Sequence, residues 1–272
     1  MACSRMVDDP SEISVKMQMV INGHNLNVEQ YGPANGPHVI LLHHGLGSVK
    51  AWRSQIQALS GAGYHVTAYD RWGYGASEHR ASLDLPTFAT DVQDLHSLLE
   101  QLGIQRTALV GHSDGGTIAL YFAAQYPNQV SCLVAVAAHI YIEPRMKPGI
   151  QGIRKAFETD ERFRKGMYKA HGMKYEVVFH NWYDGWHRYE FLSWDMRPVI
   201  KEIKCPTLIV QGELDEHASP QHALDAAAAI AGAEAWIVQQ AGHMLPQENA
   251  AILNPRLLEF LKENAAILLR HG

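Results

Sequence analysis

Several things this chain lacks narrow its function before any motif is read. Only three cysteines occur in 272 residues, Cys3, Cys132 and Cys205, and the last two lie in or beside apolar runs that read as strands. An odd number so placed makes no disulfide framework and fits a reducing compartment. Positive charge is not in excess: 23 Lys and Arg face 28 Asp and Glu, a formal net of −5. A nucleic-acid partner, which calls for a basic stripe, is therefore not expected. The longest apolar run, Cys132 to Ala138 and on past His139 to Ile142, is too short to cross a bilayer. The stretch from Met1 to Pro10 has no apolar signal core. A soluble, cytoplasmic protein without a membrane partner is the expectation. No G-x-G-x-x-G follows a strand, so no nucleotide or flavin is expected, and there is neither an internal repeat nor a low-complexity tract.

What is present is a core. Apolar residues make up 47% of the chain, enough to fold one large α/β domain carrying an insertion. Residues 13–20 and 24–31 read as strands joined at the turn dipeptide Asn22-Gly23. Val39–His43 and His65–Tyr69 are short apolar strands of the kind buried in a parallel sheet. Helices are expected over Ala51–Leu59, ending at Gly61 and Gly63, and over Pro86–Leu102. A strand at Thr107–Val110, a helix over Thr117–Ala124 and a strand near Gln129–Ala137 follow. The alternation resumes with Pro206–Gln211, Gln221–Ala231, Ala235–Val238 and a last helix running to Leu269, with Pro255 in its first turn. Strands alternating with helices give a doubly wound, mostly parallel sheet.

Residues 139–204 break the rhythm. About 65 residues pass without a clear strand, rich in aromatics that include Tyr189 and Phe191, with Phe179, Trp182 and Trp186 on one helical face. A helical cap over the carboxyl edge of the sheet is expected here, dividing the chain into a core of 1–138 plus 205–272 and a cap of 139–204. Most of these aromatics should form the cap's own core, and a few should line a pocket. The segment holds 13 Lys and Arg against 9 Asp and Glu. A positive entrance would draw anionic substrates, whereas solvated helix faces would have no such effect.

The chemistry gathers around Gly111-His112-Ser113-Asp114-Gly115, between a strand and a helix. Such a turn strains the serine backbone and exposes its hydroxyl, and the glycines avoid a collision where strand and helix nearly touch. A serine hydroxyl becomes a nucleophile when a histidine takes its proton, and the histidine in turn needs an orienting carboxylate. In this kind of sheet the chain order is Ser, Asp or Glu, His. Asp215 follows the strand Thr207–Val210, and His243 follows Ala235–Val238, both at carboxyl ends of strands like Ser113. Glu213 and Glu216 compete with Asp215, and a surface role competes for His243. Donors for a developing oxyanion are expected from the backbone N–H of Asp114 and, in His43-His44-Gly45-Leu46-Gly47, from that of Leu46. Adjacent His43 and His44 point to opposite sides of an extended strand, so no metal site is expected.

These pieces resemble the α/β-hydrolase fold superfamily. The matching motifs are His44-Gly45-Leu46-Gly47 with Trp52, Asp70-Arg71-Trp72-Gly73-Tyr74-Gly75-Ala76-Ser77, the elbow Gly111–Gly116, Gly212–Asp215 and Gly242-His243. The resemblance implies an eight-stranded, mostly parallel sheet with a helical cap. It also implies Ser113 as nucleophile, Asp215 as acid, His243 as base, and Leu46 and Asp114 as the oxyanion hole. Serine at the elbow sets the chain apart from epoxide hydrolases and haloalkane dehalogenases. Ser113-Asp114-Gly115-Gly116 is similar to enzymes of the valacyclovir-hydrolase type, in which a carboxylate beside the nucleophile would pair with a substrate ammonium. Alternatively, Asp114 turns away and favours the helix N-terminus.

The expected function is hydrolysis of a small-molecule carboxylic ester through an acyl-serine, with His44, Trp182 and Trp186 lining the substrate pocket. Carbon–carbon bond or lactone hydrolysis by the same three residues is an alternative. A non-catalytic receptor on the same fold is another, and a cofactor-independent oxygenase a more remote one.

Overall fold

A computed structural model of the protein describes residues 13–188 and 193–264. Cys3, Tyr189, Phe191 and the helical stretch expected beyond 264 lie outside the described residues. The first hairpin pairs Ile13–Ile21 (β1) with His24–Tyr31 (β2) across Asn22-Gly23, where both residues have positive φ. His38–Leu42 (β3), Arg53–Gly61 (α1) and His65–Tyr69 (β4) come next. Ala89–Gln101 (α2), Thr107–His112 (β5), Asp114–Gln125 (α3) and Val130–Val136 (β6) complete the first half. The insertion carries Met146–Thr159 (α4), Glu161–His171 (α5), Tyr175–Trp186 (α6) and Arg197–Ile200 (α7). Thr207–Gly212 (β7), Gln221–Ala229 (α8), Glu234–Val238 (β8), Leu245–Glu248 (α9) and Ala250–Glu263 (α10) follow.

The eight strands form one sheet in the order β1-β2-β4-β3-β5-β6-β7-β8. Only β2 runs against its neighbours; from β4 to β8 every pairing is parallel. Parallel neighbours require crossover helices, and these cover both faces. Strand alternation divides the core in two. Ile40, Leu42, Leu109, Leu133 and Ile209 face α2, α3 and α8, while Val39, Leu41, Val110, Val134 and Val210 face α1 and α10.

Among the helix boundaries that differ from expectation, those of α2 and α10 have a clear physical reason. Helix α2 starts at Ala89 instead of Pro86, because the Asp84 carboxylate accepts the Thr90 N–H at 2.6 Å and Phe88 sits in the left-handed region. Pro255 lies inside α10, past its first turn. That helix begins early because it must bury Leu253 and Leu257 against α1, where Asn254 is also bonded to Gln55 and to the Ser54 carbonyl. Packing outweighs the one backbone hydrogen bond that proline removes.

Among the described residues of the insertion there is no strand, only an isolated bridge between Tyr141 and Asp195. The Ile140 carbonyl accepts from Met196 N–H at 2.8 Å, so the two ends of the insertion meet beside β6. Cys132 and Cys205 are free and buried. No helix among the described residues is long and apolar enough to cross a membrane.

Candidate active site

Each residue of the site leaves a carboxyl end of a parallel strand: His43 and His44 after β3, Ser113 after β5, His139 after β6, Asp215 after β7 and His243 after β8. The sheet order therefore sets them side by side along one rim.

Ser113 has φ 54° and ψ −121°, a conformation that costs a non-glycine residue of order 1–3 kcal/mol. The turn holds it there. Ser113 N–H donates to Val136 O at 2.8 Å, and the next helix closes with Thr117 N–H on Ser113 O at 3.0 Å. A Cβ on Gly115 would stand 2.0 Å from the Leu42 carbonyl oxygen, and one on Gly111 would stand 2.2 Å from that of Gly115. Both contacts are with backbone that has nowhere to go, so the elbow requires glycine on both sides.

The serine hydroxyl lies 2.9 Å from His243 Nε2, and His243 Nδ1 lies 2.8 Å from Asp215 Oδ2. Neither competing carboxylate bonds the His243 ring: Glu213 accepts from the Gln240 backbone and amide, and Glu216 from the His243 backbone N–H at 3.3 Å. Asp215 is fully buried and well supplied with donors. Oδ1 accepts from His217 and Ala218 N–H, and Oδ2 accepts from Gln211 Nε2 at 2.6 Å as well as from His243. Burial pushes this carboxyl upward, but the imidazole beside it and the hydrogen bonds hold it well below the ordinary carboxylate range. Burial also opposes charge on His243, and Asp215 more than offsets this, so His243 titrates above the ordinary imidazole range.

Other histidines surround this pair. The rings of His217, His112 and His139 lie 4.6, 5.4 and 5.8 Å from that of His243. Burial lowers His112 to about 3 and His217 to about 4, and takes His139 well below its usual value. They are neutral at pH 7, so His243 is the imidazole that can gain a proton there. His112 Nε2–H donates to the His243 carbonyl at 2.9 Å and pins the loop that carries it. Neither Gln211 nor His112 was expected as part of the site. The available signal is a polar residue inside a buried apolar strand.

The loop after β3 turns toward the same point. The Leu46 N–H makes a long 3.4 Å contact with His44 Nδ1. His43 turns the other way: Nδ1–H donates to the His44 carbonyl at 2.8 Å, and Nε2 accepts the Arg71 N–H at 3.0 Å. From the insertion, His171 Nε2–H donates to the Leu46 carbonyl at 3.0 Å, while Nδ1 accepts the Gly75 N–H.

A cavity of about 200 Å³ opens beside Ser113. His44, Trp182 and Trp186 all line it, and Met146, Ile150 and Phe163 add apolar wall from the insertion. Its charged lining residues are Asp114 and Glu216, with no Lys or Arg among the described residues. No Lys or Arg of the described part of the insertion lines the pocket; Arg154 and Lys165, for example, pair on the surface with Glu158 and Glu161. The Asp114 side chain points inward, with Oδ1 accepting from Trp186 Nε1 at 3.2 Å. Burial raises its carboxyl to about 6 against the opposing pull of Arg71.

Fold and site together are those of an α/β-hydrolase. A family model described as alpha/beta hydrolase fold matches residues 37–180. The chain is 31% identical to "Serine hydrolase BPHL" of Mus musculus, over 90% of this chain and 86% of that protein. It belongs to the α/β-hydrolase fold family. It is also 26% identical to the "2-hydroxy-6-oxo-6-phenylhexa-2,4-dienoate hydrolase" of Comamonas testosteroni, over 84% of this chain and 88% of that one. Among solved structures, the enol-lactonase from Burkholderia xenovorans LB400 superposes with a TM-score of 0.72 at 24% identity, covering 90% of this chain and all of that one.

Proposed function

We propose that the protein hydrolyses a small-molecule carboxylic ester through an acyl-enzyme, with Ser113 as nucleophile, His243 as base and Asp215 as its orienting acid. The supporting observation is the unbroken relay from Ser113 Oγ to His243 Nε2, and from His243 Nδ1 to Asp215 Oδ2, at hydrogen-bond distance throughout. Ser113 Oγ attacks the ester carbonyl carbon as its proton passes to His243 Nε2. Asp215 accepts from Nδ1–H and stabilises the imidazolium. The backbone N–H groups of Leu46 and Asp114 hold the oxyanion. Collapse breaks the ester C–O bond, and the leaving alcohol takes the proton from His243. Water then gives a proton to His243 and attacks the acyl carbon; release of the acid returns the proton to Ser113. The 200 Å³ cavity suits short acyl or alcohol groups.

In a single-turnover assay the enzyme should give a burst of alcohol, and an organophosphate should label Ser113. Ser113→Ala should lose about 10⁴-fold or more in kcat/KM. Unchanged ester turnover by this variant would refute the serine mechanism. The similarity to a dienoate hydrolase and an enol-lactonase supports a second reading, carbon–carbon or lactone cleavage by the same residues. A panel pairing aryl esters with lactones and vinylogous diketones separates the two.

A further inference from the structure

The turn that carries Leu46 is soft on its own. Gly45 and Leu46 are its two central residues, and it closes with Gly47 N–H on the His44 carbonyl at 3.0 Å. Glycine stands on both sides of Leu46, and glycine leaves the backbone free to choose among turn conformations. An oxyanion donor, by contrast, has to be in place before the reaction begins. The side chain that braces this turn comes from the insertion. His171, the last residue of α5, is 4% exposed. Its Nε2–H donates to the Leu46 carbonyl at 3.0 Å, and its Nδ1 accepts the Gly75 N–H at 2.9 Å. Gly75 is a fixed point of the core. It has positive φ, and a Cβ there would stand 2.0 Å from Cγ of the buried Asp70. The Asp70 carboxylate is itself held by the Val49 and Ala76 N–H groups at 2.7 and 2.8 Å.

We propose that His171 is a positioning residue for the oxyanion hole: by gripping the Leu46 carbonyl it aims the Leu46 N–H at the reacting carbonyl oxygen. The inference rests on the serine-hydrolase reading above and adds a residue to it. The peptide from Leu46 to Gly47 is held at both polar atoms, its N–H by His44 and its carbonyl by His171. Leu46 N–H belongs to the peptide just before it, so fixing the one plane limits how far the other can turn. The direction of the grip is set by the core. Burial lowers His171 to about 4, so the ring is neutral at pH 7, with one nitrogen donating and the other accepting. Gly75 N–H claims the acceptor, which leaves Nε2–H for Leu46. Both arms end on core loops, so the ring keeps its place when other parts of the insertion loosen. Without the grip the turn is closed by the Gly47 bond alone, and a displacement of about 1 Å at such a donor can cost about 100-fold in rate.

Two substitutions separate the arms. A glutamine amide nitrogen reaches the place of Nε2, and an asparagine amide oxygen the place of Nδ1. His171→Gln therefore keeps the donor to Leu46, and His171→Asn keeps the acceptor for Gly75. With the full-length enzyme and phenyl acetate, kcat is counted per Ser113 titrated by an organophosphate, so loss of folded protein cancels. His171→Asn should lose about 10- to 100-fold in kcat with KM within about 3-fold, and His171→Gln should stay within about 3-fold of wild type. A trifluoromethyl ketone gives a second readout. Ser113 Oγ adds to its carbonyl carbon, the hydroxyl proton passes to His243, and the ketone oxygen becomes an alkoxide in the oxyanion hole. Its affinity should fall in His171→Asn by the same factor as kcat/KM. A bond that only seats the insertion would act on KM and leave the inhibitor's affinity alone. Equal kcat in the two variants, a larger loss in His171→Gln, a loss confined to KM, or unchanged inhibitor affinity in His171→Asn each overturns the positioning role while leaving the serine mechanism standing. A wild-type enzyme with neither ester turnover nor organophosphate on Ser113 overturns both.

Discussion

Every residue of β5 is buried, whereas α4 and α5 of the insertion bury two residues each. The contrast extends to how the two regions are held. The sheet is fixed by apolar side chains on both faces. The insertion shares one apolar cluster with the core, with Phe88 against Trp186 for example, and adds polar side chains that reach backbone: His171 to Leu46 and Gly75, Lys50 to the Lys169 carbonyl at 2.7 Å, and Asn181 to the Arg80 carbonyl at 2.8 Å. Such bonds exchange with water at small net cost, while apolar contacts do not. The rim of the sheet therefore carries the Ser113–His243–Asp215 relay on a packed base. The insertion above it supplies a ceiling whose shape can change with few consequences for the relay. On the proposed reading, reaction type belongs to the first region and substrate choice to the pocket that both regions line.

The largest break in this comparison should come from the rim. Asp215→Asn keeps the shape but cannot hold His243 as the Nδ1–H tautomer, and a loss of about 10⁴-fold in kcat is expected. The pH profile should change with it. Wild-type activity falls as pH drops through the raised value of His243, because the protonated imidazole no longer accepts from Ser113. The groups facing His243 are Asp215, Glu216 and His217 after β7, His112 and Asp114 around β5, and His139 after β6. The lowered histidines among them are neutral across this range, so Asp215 is the main support of the raised value. In Asp215→Asn the acid limb should move to lower pH. A limb that stays in place would show that another carboxylate governs His243.

A stability measurement sharpens the comparison from the core side. Leu109 is fully buried in β5, between β3 and β6. Leu109→Ala opens a cavity that the parallel sheet cannot close, and should cost about 2–5 kcal/mol in chemical denaturation. A cost below about 1 kcal/mol would mean the sheet centre relaxes far more than its packing implies.

Legibility in the sequence follows the same division. Ser113, Asp215 and His243 could be read because buried parallel strands leave unbroken apolar runs, and a polar residue just beyond each run stands at a known edge. Gln211 and His112 lie within such runs, where a polar side chain looks like an interruption until its partner is seen. The direction of Asp114 could not be read at all. It depends on Arg71 and Trp186, which lie 43 and 72 positions away in the chain. Pro255 misled because local preference places proline in a first turn, whereas α10 had to begin early enough to bury Leu253 on α1. The aromatics of the insertion were legible as a group, yet their division between internal packing and pocket lining was not, since helical spacing puts Phe179, Trp182 and Trp186 on one face without saying what that face meets.

The smallest effect expected is in the insertion itself. Phe157 of α4 stacks on Phe179 of α6 with centroids 3.8 Å apart and planes 3° apart, and it is only partly buried. Phe157→Ala removes that stack from a region already open to water, and about 1–2 kcal/mol is expected. Because α4 and α5 bury only two residues each, this loss should appear as local opening. Amides of α4 to α6 should exchange hydrogen faster, while those of β5 and β6 keep their protection. The relay is anchored in the sheet, so the kinetic change should fall mainly on KM. Equal loss of protection in β5 would show that insertion and sheet unfold as one cooperative unit, and the division drawn between the two regions would fail.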